Sequence, residues 1–305
     1  MKFSLHIPVG VITPGEFQTM DAIREMAETL ECVAVDACYV TDHPAPDAAW
    51  LRQGLGHDTL DPFTALAVVA ACSTTIRLHT NILVLPYRNP FITAKAAASL
   101  QVLSGGRLIL GAAAGFQKAE FDALGVDFHK RGKLSDEALE TIRLAWAGGP
   151  VIKQGMGFNA VGNEPRPAPD PQPLVWIGGG SNAAGERAAR WGDGWSPVFV
   201  NPKMSKLNRD SGITSIDDLA QKVARVKVLR EELGRTGPFD IIIGALVRPE
   251  ALTRSEADRY IEELQRLAGA GVTWVMYDPG HASRAKWSDH VRWYGEEIIA
   301  RSRDI

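Results

Sequence analysis

Thr41-Asp42-His43 sets a carboxylate beside an imidazole directly after the apolar run Ala34 to Val40. An imidazole can hold or release a proton near neutral pH, and a carboxylate can set its tautomer, so Asp42 and His43 form a candidate acid/base pair. The competing reading is a histidine satisfied by a backbone carbonyl in the turn before Pro44. A second segment, Leu78-His79-Thr80-Asn81-Ile82-Leu83, puts polar side chains into an apolar strand that runs on to Pro86-Tyr87-Arg88-Asn89-Pro90. Buried polar groups need partners, which a ligand or the chain itself could supply. A third, Leu110-Gly111-Ala112-Ala113-Ala114-Gly115-Phe116, is small enough for a flat ligand or a neighbouring backbone to come close. The fourth, Trp176-Ile177-Gly178-Gly179-Gly180-Ser181-Asn182, is a glycine-rich strand-to-helix turn that aims backbone N–H groups at an anion. It is neither a P-loop nor the GxGxxG fingerprint.

Short apolar strands alternate with segments of helical apolar spacing, the pattern of βα units around a parallel sheet. Candidate strands are Lys2 to Ile7, Ala34 to Val40, Arg77 to Leu83, Leu108 to Ala112, Leu174 to Ile177, Gly194 to Val198, Ile241 to Leu246 and Thr273 to Tyr277. Candidate helices begin near Thr19, Pro62, Pro90, Ser135, Asn182, Ile216, Ser255 and Ser283. Asp61-Pro62 and Asn89-Pro90 each put a capping side chain before a proline whose missing N–H costs nothing in a first turn. Eight such units in one domain over 1–305 predict an α/β fold, a (β/α)8 TIM barrel, in which sites gather at the carboxyl ends of the strands. The proline-rich segment 148–173 and the polar segment 201–215 break the rhythm and are candidate insertions or lids over that mouth, or else surface loops.

The formal charge of −3, from 33 Lys and Arg against 36 Asp and Glu, offers no field to attract nucleic acid or an anionic membrane. Three cysteines without CxxC spacing suit a reducing compartment and read as buried small hydrophobes. The start lacks the continuous apolar stretch of a secretory signal and no apolar window approaches a membrane span, so a cytoplasmic location is expected.

Taken in order, Thr41-Asp42-His43, Asp61-Pro62-Phe63-Thr64-Ala65-Leu66, Leu83-Val84-Leu85-Pro86-Tyr87-Arg88-Asn89-Pro90, Leu103-Ser104-Gly105-Gly106-Arg107-Leu108, Glu120-Phe121-Asp122-Ala123-Leu124-Gly125-Val126, Trp176-Ile177-Gly178-Gly179 and Ala188-Ala189-Arg190-Trp191-Gly192-Asp193-Gly194-Trp195 cover most of the chain. The series resembles the bacterial-luciferase-like superfamily, nearest to its coenzyme F420-dependent oxidoreductase subgroup. The resemblance implies a (β/α)8 barrel with a tricyclic ring across the strand ends. It further implies a non-prolyl cis peptide near Asn81-Ile82, ring contacts from His79, Thr80, Asn81, Ile82, Gly111 and Ala112, and phosphate contacts from Gly178, Gly179, Gly180 and Ser181. Asp42 and His43 match positions beside the reactive ring edge. His79 stands where the subgroup commonly has glycine, and alanines thin the glycine run after Gly111. Phe116 stands where the sugar-phosphate dehydrogenases of the superfamily carry a glutamate acid, which disfavours that substrate.

The expectation is hydride transfer between F420 and a small organic substrate with a C=C, C=O or C=N group. The alternatives are an FMN-dependent monooxygenase fed by a partner flavin reductase, and a flavin-binding barrel without catalysis. A metal-dependent hydrolase would need an HxH pair at the end of the first strand, where only His6 stands, so no metal is expected. A homodimer is the expectation for assembly, from the resemblance alone.

Overall fold

The computed structural model describes residues 1–11, 15–54, 56–200 and 212–305. Segment 201–211, most of the second candidate lid, lies outside the described residues; just beyond it Ile213 is buried and pairs with Phe199. Eleven strands are described: β1 (Lys2–His6), β2 (Ala37–Val40), β3 (Arg77–Thr80), β4 (Leu83–Val84), β5 (Leu108–Ala113), β6 (Val151–Gly155), β7 (Phe158–Asn163), β8 (Leu174–Gly178), β9 (Gly194–Ser196), β10 (Asp240–Gly244) and β11 (Trp274–Tyr277). Parallel pairing runs β3-β2-β1-β11-β10-β9-β8-β5, and β5 pairs back onto β3, closing an eight-stranded barrel. The short β4 continues beside β5 beyond a break at Asn81–Ile82.

Side chains alternate across the barrel wall. Phe3, Leu5 and Ile7 point out into the main core under the helices, whereas Ala37, Ile109, Trp176, Ile242 and Trp274 fill the barrel interior. Trp176 and Trp274 meet edge to face with centroids 5.0 Å apart, a geometry that suits the ring quadrupoles. Each such buried apolar side chain contributes about 1.5–3 kcal/mol, so the barrel is a filled core and its polar groups are confined to its ends and a few interior positions.

The helices surrounding the barrel are α1 (Met20–Cys32), α2 (Ala48–Arg52), α3 (Pro62–Ala71), α4 (Pro90–Leu103), α5 (Lys118–Ala123), α6 (Arg131–Trp146), α7 (Asn182–Trp191), α8 (Ile216–Glu232), α9 (Arg254–Gly269) and α10 (Arg284–Tyr294). Thr19, Asp61, Asn89, Ser181, Ser215, Thr253 and Ser283 each accept a first-turn N–H, which fixes where those helices start. Several boundaries differ from expectation: β3 stops at Thr80, β9 at Ser196 and β10 at Gly244, each short of the expected end. Ala34 adopts φ 54°, so extended backbone begins only at Ala37, and α6 starts at Arg131, ahead of Ser135. Among the described residues no helix is long and apolar enough to cross a membrane.

Within the proline-rich segment 148–173 the chain forms a hairpin of its own. Strands β6 and β7 form an antiparallel hairpin turning at Met156-Gly157, with Gly157 at φ 90°. It lies on the helical layer: Lys153 pairs with Glu140, Glu137 accepts from the Met156 N–H, and Phe158 packs edge-on against Phe91 of α4.

Candidate active site

All eight barrel strands point the same way, so the residues following them share one end of the barrel. After β2, His43 is held on several sides. Its backbone N–H donates to Thr59 Oγ1 at 3.2 Å, and its ring Nδ1 lies 3.1 Å from Glu120 Oε2. Glu120 is 1% exposed in the first turn of α5, and also accepts from the Tyr87 hydroxyl at 3.1 Å and the Ala45 N–H at 3.3 Å. A carboxylate can only accept, so Nδ1 of His43 carries the proton and Nε2 is left for a ligand. Burial and the adjoining Glu120 carboxylate hold the Tyr87 phenol well above its ordinary value, so it remains an O–H donor. The Gln117 side-chain amide sits 3.3 Å from the same Nδ1 and closes off that edge.

Asp42 has other work. Its carboxylate accepts from both guanidinium nitrogens of Arg88, at 2.6 and 2.9 Å, and from the Val84 N–H at 3.0 Å. Asp42 thus ties β2 to the segment after β4, and the partner of His43 is Glu120. This corrects the expectation that Asp42 sets the His43 tautomer. Adjacent side chains in an extended chain point to opposite sides, which is why neighbours in sequence are not partners here.

The Asn81–Ile82 peptide is cis, where the resemblance placed it. Both residues are half-buried at the strand break. Four other expected ring contacts are used inside the wall. His79 is 0% exposed, packs edge-on against Trp176 at 4.9 Å, and has its pKa pushed down to about 3 by burial, so it is a neutral core ring. Thr80 donates to the Gly111 carbonyl at 2.8 Å. A Cβ on Gly111 would lie 2.1 Å from the Thr80 carbonyl oxygen and 2.7 Å from His79 Nε2, so its bareness lets strands and ring meet. Ala112 faces the outer core. His79, Thr80, Gly111 and Ala112 thus make packing contacts within the barrel wall.

The turn after β8 is mixed in the same way. A Cβ on Gly178 would lie 2.0 Å from Ile82 Cδ1, and one on Gly180 2.8 Å from Gly212 Cα, so both glycines admit neighbouring chain. Gly179, at φ 109°, donates to the Ser196 carbonyl and accepts from Trp195 Nε1 at 2.8 Å. Ser181 caps α7 by accepting from Ala184 at 3.2 Å. The first-turn N–H groups ahead of Ala184 are those a helix leaves unpaired, which makes this end receptive to an anion. At the register of Gly178, the Ser196 hydroxyl is buried with no hydrogen-bond partner among the described residues. An orphaned hydroxyl at the strand ends, next to the Asn81–Ile82 break and the α7 terminus, fits a planar polar ring with an anionic tail. The residues available to hold one are Asn81, Ile82, Ser181 and Ser196.

Further polar groups rim the same end. His6 pairs with Asp278 at 3.4 Å, and hydrogen bonds from His6 and Gly280 hold the Asp278 carboxyl well below the usual range despite its burial. The hydroxyl of Thr41 lies 2.8 Å from His57 Nε2. Among the described residues, no group of three or more His, Cys, Asp or Glu is placed to hold a metal ion. Sequence reasoning missed Glu120, Arg88 and Tyr87 as functional neighbours of His43 and Asp42. Glu120 is one of several acids in its segment, and nothing local distinguishes it from exposed Asp122.

A family model described as luciferase-like monooxygenase matches residues 1–297. An uncharacterised protein of Mycobacterium tuberculosis is 33% identical over 221 residues, 72% of this chain and 68% of that one. The F420-dependent glucose-6-phosphate dehydrogenase of Nocardia farcinica is 28% identical over 208 residues, 66% of this chain and 59% of that enzyme. The crystal structure of the monooxygenase RslO1 from Streptomyces bottropensis shares the fold at TM-score 0.79 and 17% identity, covering 99% of both chains. With the barrel closed, the strand-end site assembled and the family match running along nearly its whole length, this chain belongs to the luciferase-like monooxygenase family of oxidoreductase enzymes.

Proposed function

We propose that the protein transfers a hydride between coenzyme F420 and a small organic substrate bearing a C=O, C=C or C=N group, with His43 exchanging the accompanying proton. The observation that carries this reading is the buried Glu120 carboxylate, 3.1 Å from Nδ1 of His43 and 3.1 Å from the Tyr87 hydroxyl. When bound, reduced F420 supplies the hydride. The chain's own part is to fix the imidazole so that Nε2 meets the substrate, and to keep its proton in register with the reacting bond. For a carbonyl, carbon gains the hydride and oxygen gains the His43 Nε2 proton, which leaves an alcohol. Glu120 stabilises the imidazolium before the proton leaves and the Nδ1–H tautomer afterwards. Ser181 and the α7 terminus would take the anionic tail, and Asn81, Ile82 and Ser196 would line the ring.

An FMN-dependent monooxygenase fed by a flavin reductase is the second reading; the monooxygenase members of the family support it. Single-turnover measurement with the F420-loaded protein tests the proposal. His43→Ala is expected to slow hydride transfer by about 10²- to 10⁴-fold, the usual contribution of a positioned acid or base, with cofactor affinity nearly unchanged. Unaltered transfer in His43→Ala would remove His43 from the chemistry.

A further inference from the structure

We infer that Trp50, His57 and Phe116 form an aromatic wall beside His43 that selects a planar, apolar carbonyl compound, an aryl ketone or aldehyde, as substrate. The inference rests on the proposed hydride-transfer reading and names its substrate class. Three separate segments bring the rings together after β2 and β5. Trp50 comes from α2, whose start is pinned by Asp47 accepting from Ala49 and Trp50. His57 is fixed by Thr41 at 2.8 Å. Phe116 follows Gly115, whose φ of 80° and tight contact with Val84 and Phe121 turn the chain outward.

Ring centroids lie 4.8 Å (Trp50), 5.4 Å (His57) and 6.3 Å (Phe116) from that of His43, and Trp50 and Phe116 are 6.4 Å apart. Each of these pairs is tilted or edge to face, at angles from 50° to 88°, so the rings form an aromatic cluster around His43 rather than a closed stack. Phe116 is 67% exposed, whereas Phe121, five residues on, is fully buried. A large aromatic side chain left in water at the edge of a catalytic imidazole gains apolar cover when a planar ligand arrives. The charge around the rings points the same way. Arg88 is committed to Asp42 and Asp61, and partial burial lowers the pKa of His57, which disfavours its charged form. A sugar phosphate would meet aromatic rings here and no unpaired cation from Arg88.

The test is equilibrium binding of 2-acetylnaphthalene and of the acyclic 2-dodecanone to the cofactor-loaded protein, by calorimetry. The planar ketone is expected to bind at least about tenfold tighter. Phe116→Ala should lose about tenfold for it and under twofold for 2-dodecanone, and Phe116→Trp should restore the preference. Equal affinity for the two ketones, equal losses in Phe116→Ala, or no binding of 2-acetylnaphthalene would overturn the wall. Cofactor titration of the same samples separates the two claims. Failure of both F420 and FMN to bind overturns the oxidoreductase reading, whereas cofactor binding without ketone discrimination overturns the wall alone.

Discussion

Glu120→Gln replaces a carboxylate with an amide of the same shape and therefore isolates what the charge does. In the native protein two oxygens serve three donors: His43 Nδ1 and the Tyr87 hydroxyl on Oε2, and the Ala45 N–H on Oε1. Glutamine keeps one oxygen. If that oxygen faces His43, the new amide N–H points at the Ala45 N–H; if it faces Ala45, the amide N–H points at His43 and forces the other tautomer. Either way a buried donor is stranded or the imidazole is turned over, at a cost of about 1–3 kcal/mol. A chain of this length has an unfolding entropy of about 0.6 kcal/mol per kelvin, so the melting temperature should fall by roughly 2–5 °C. Single-turnover hydride transfer should fall by about ten- to a hundredfold, because the proton-bearing nitrogen is no longer fixed. Differential scanning calorimetry and stopped-flow measurement on the same sample read both effects. An unchanged melting temperature together with an unchanged rate would show that the carboxylate neither anchors His43 nor is worth its burial.

Three other perturbations bear on the same scaffold. Asp42→Asn removes the bidentate partner of the Arg88 guanidinium, which is 19% exposed, and leaves it only the Asp61 carboxylate at 3.4 Å, so it should destabilise by about 1.5–3 kcal/mol in urea unfolding; a loss under about 0.5 kcal/mol would contradict the assignment of Asp42 as the tie between β2 and the segment after β4. Gly111→Ala drives a Cβ to 2.1 Å from the Thr80 carbonyl oxygen, backbone that cannot swing aside, and should lower stability by more than about 3 kcal/mol; a variant with wild-type stability would mean that the strands are not so close. His79 titrates at about 3 in the folded protein and near 6.5 in the unfolded chain, so between those values the unfolded state binds more protons and stability falls as pH falls. The slope from this ring is at most about 1.4 kcal/mol per pH unit. Urea midpoints at pH 7 and pH 5 should therefore separate more in the wild type than in His79→Gln, and equal separations would sink the buried-neutral reading.

The barrel was legible because its elements declare themselves locally. Capping residues before proline at Asp61 and Asn89, and apolar runs such as Ile241 to Leu246, depend on near neighbours in the chain. The hairpin β6–β7 was hidden by the prolines around it, although Val151 and Ala160 turn inward while Ile152 and Val161 turn out, an alternation too short to outweigh its setting. The site was legible only as a region. His43 and Asp42 stand together in sequence, yet their partners, Glu120 and Arg88, lie 77 and 46 residues away. Those distances are set by barrel closure and leave no trace in spacing. Gly111 and Gly178 show the same limit: a glycine that admits a ligand and one that admits Thr80 or Ile82 read alike until the chain is folded.

The central claim, that the strand ends beside His43 hold a flat redox ring, is tested most directly by titrating the purified protein with F420 and, separately, FMN while following absorbance and fluorescence of the ring. Saturable one-to-one binding of F420, weakened by at least about tenfold when Ser181→Asp places a negative charge at the α7 terminus, is the expected result. Tight binding of FMN with none of F420 would transfer the assignment to the monooxygenase reading, and binding of neither would contradict the claim itself.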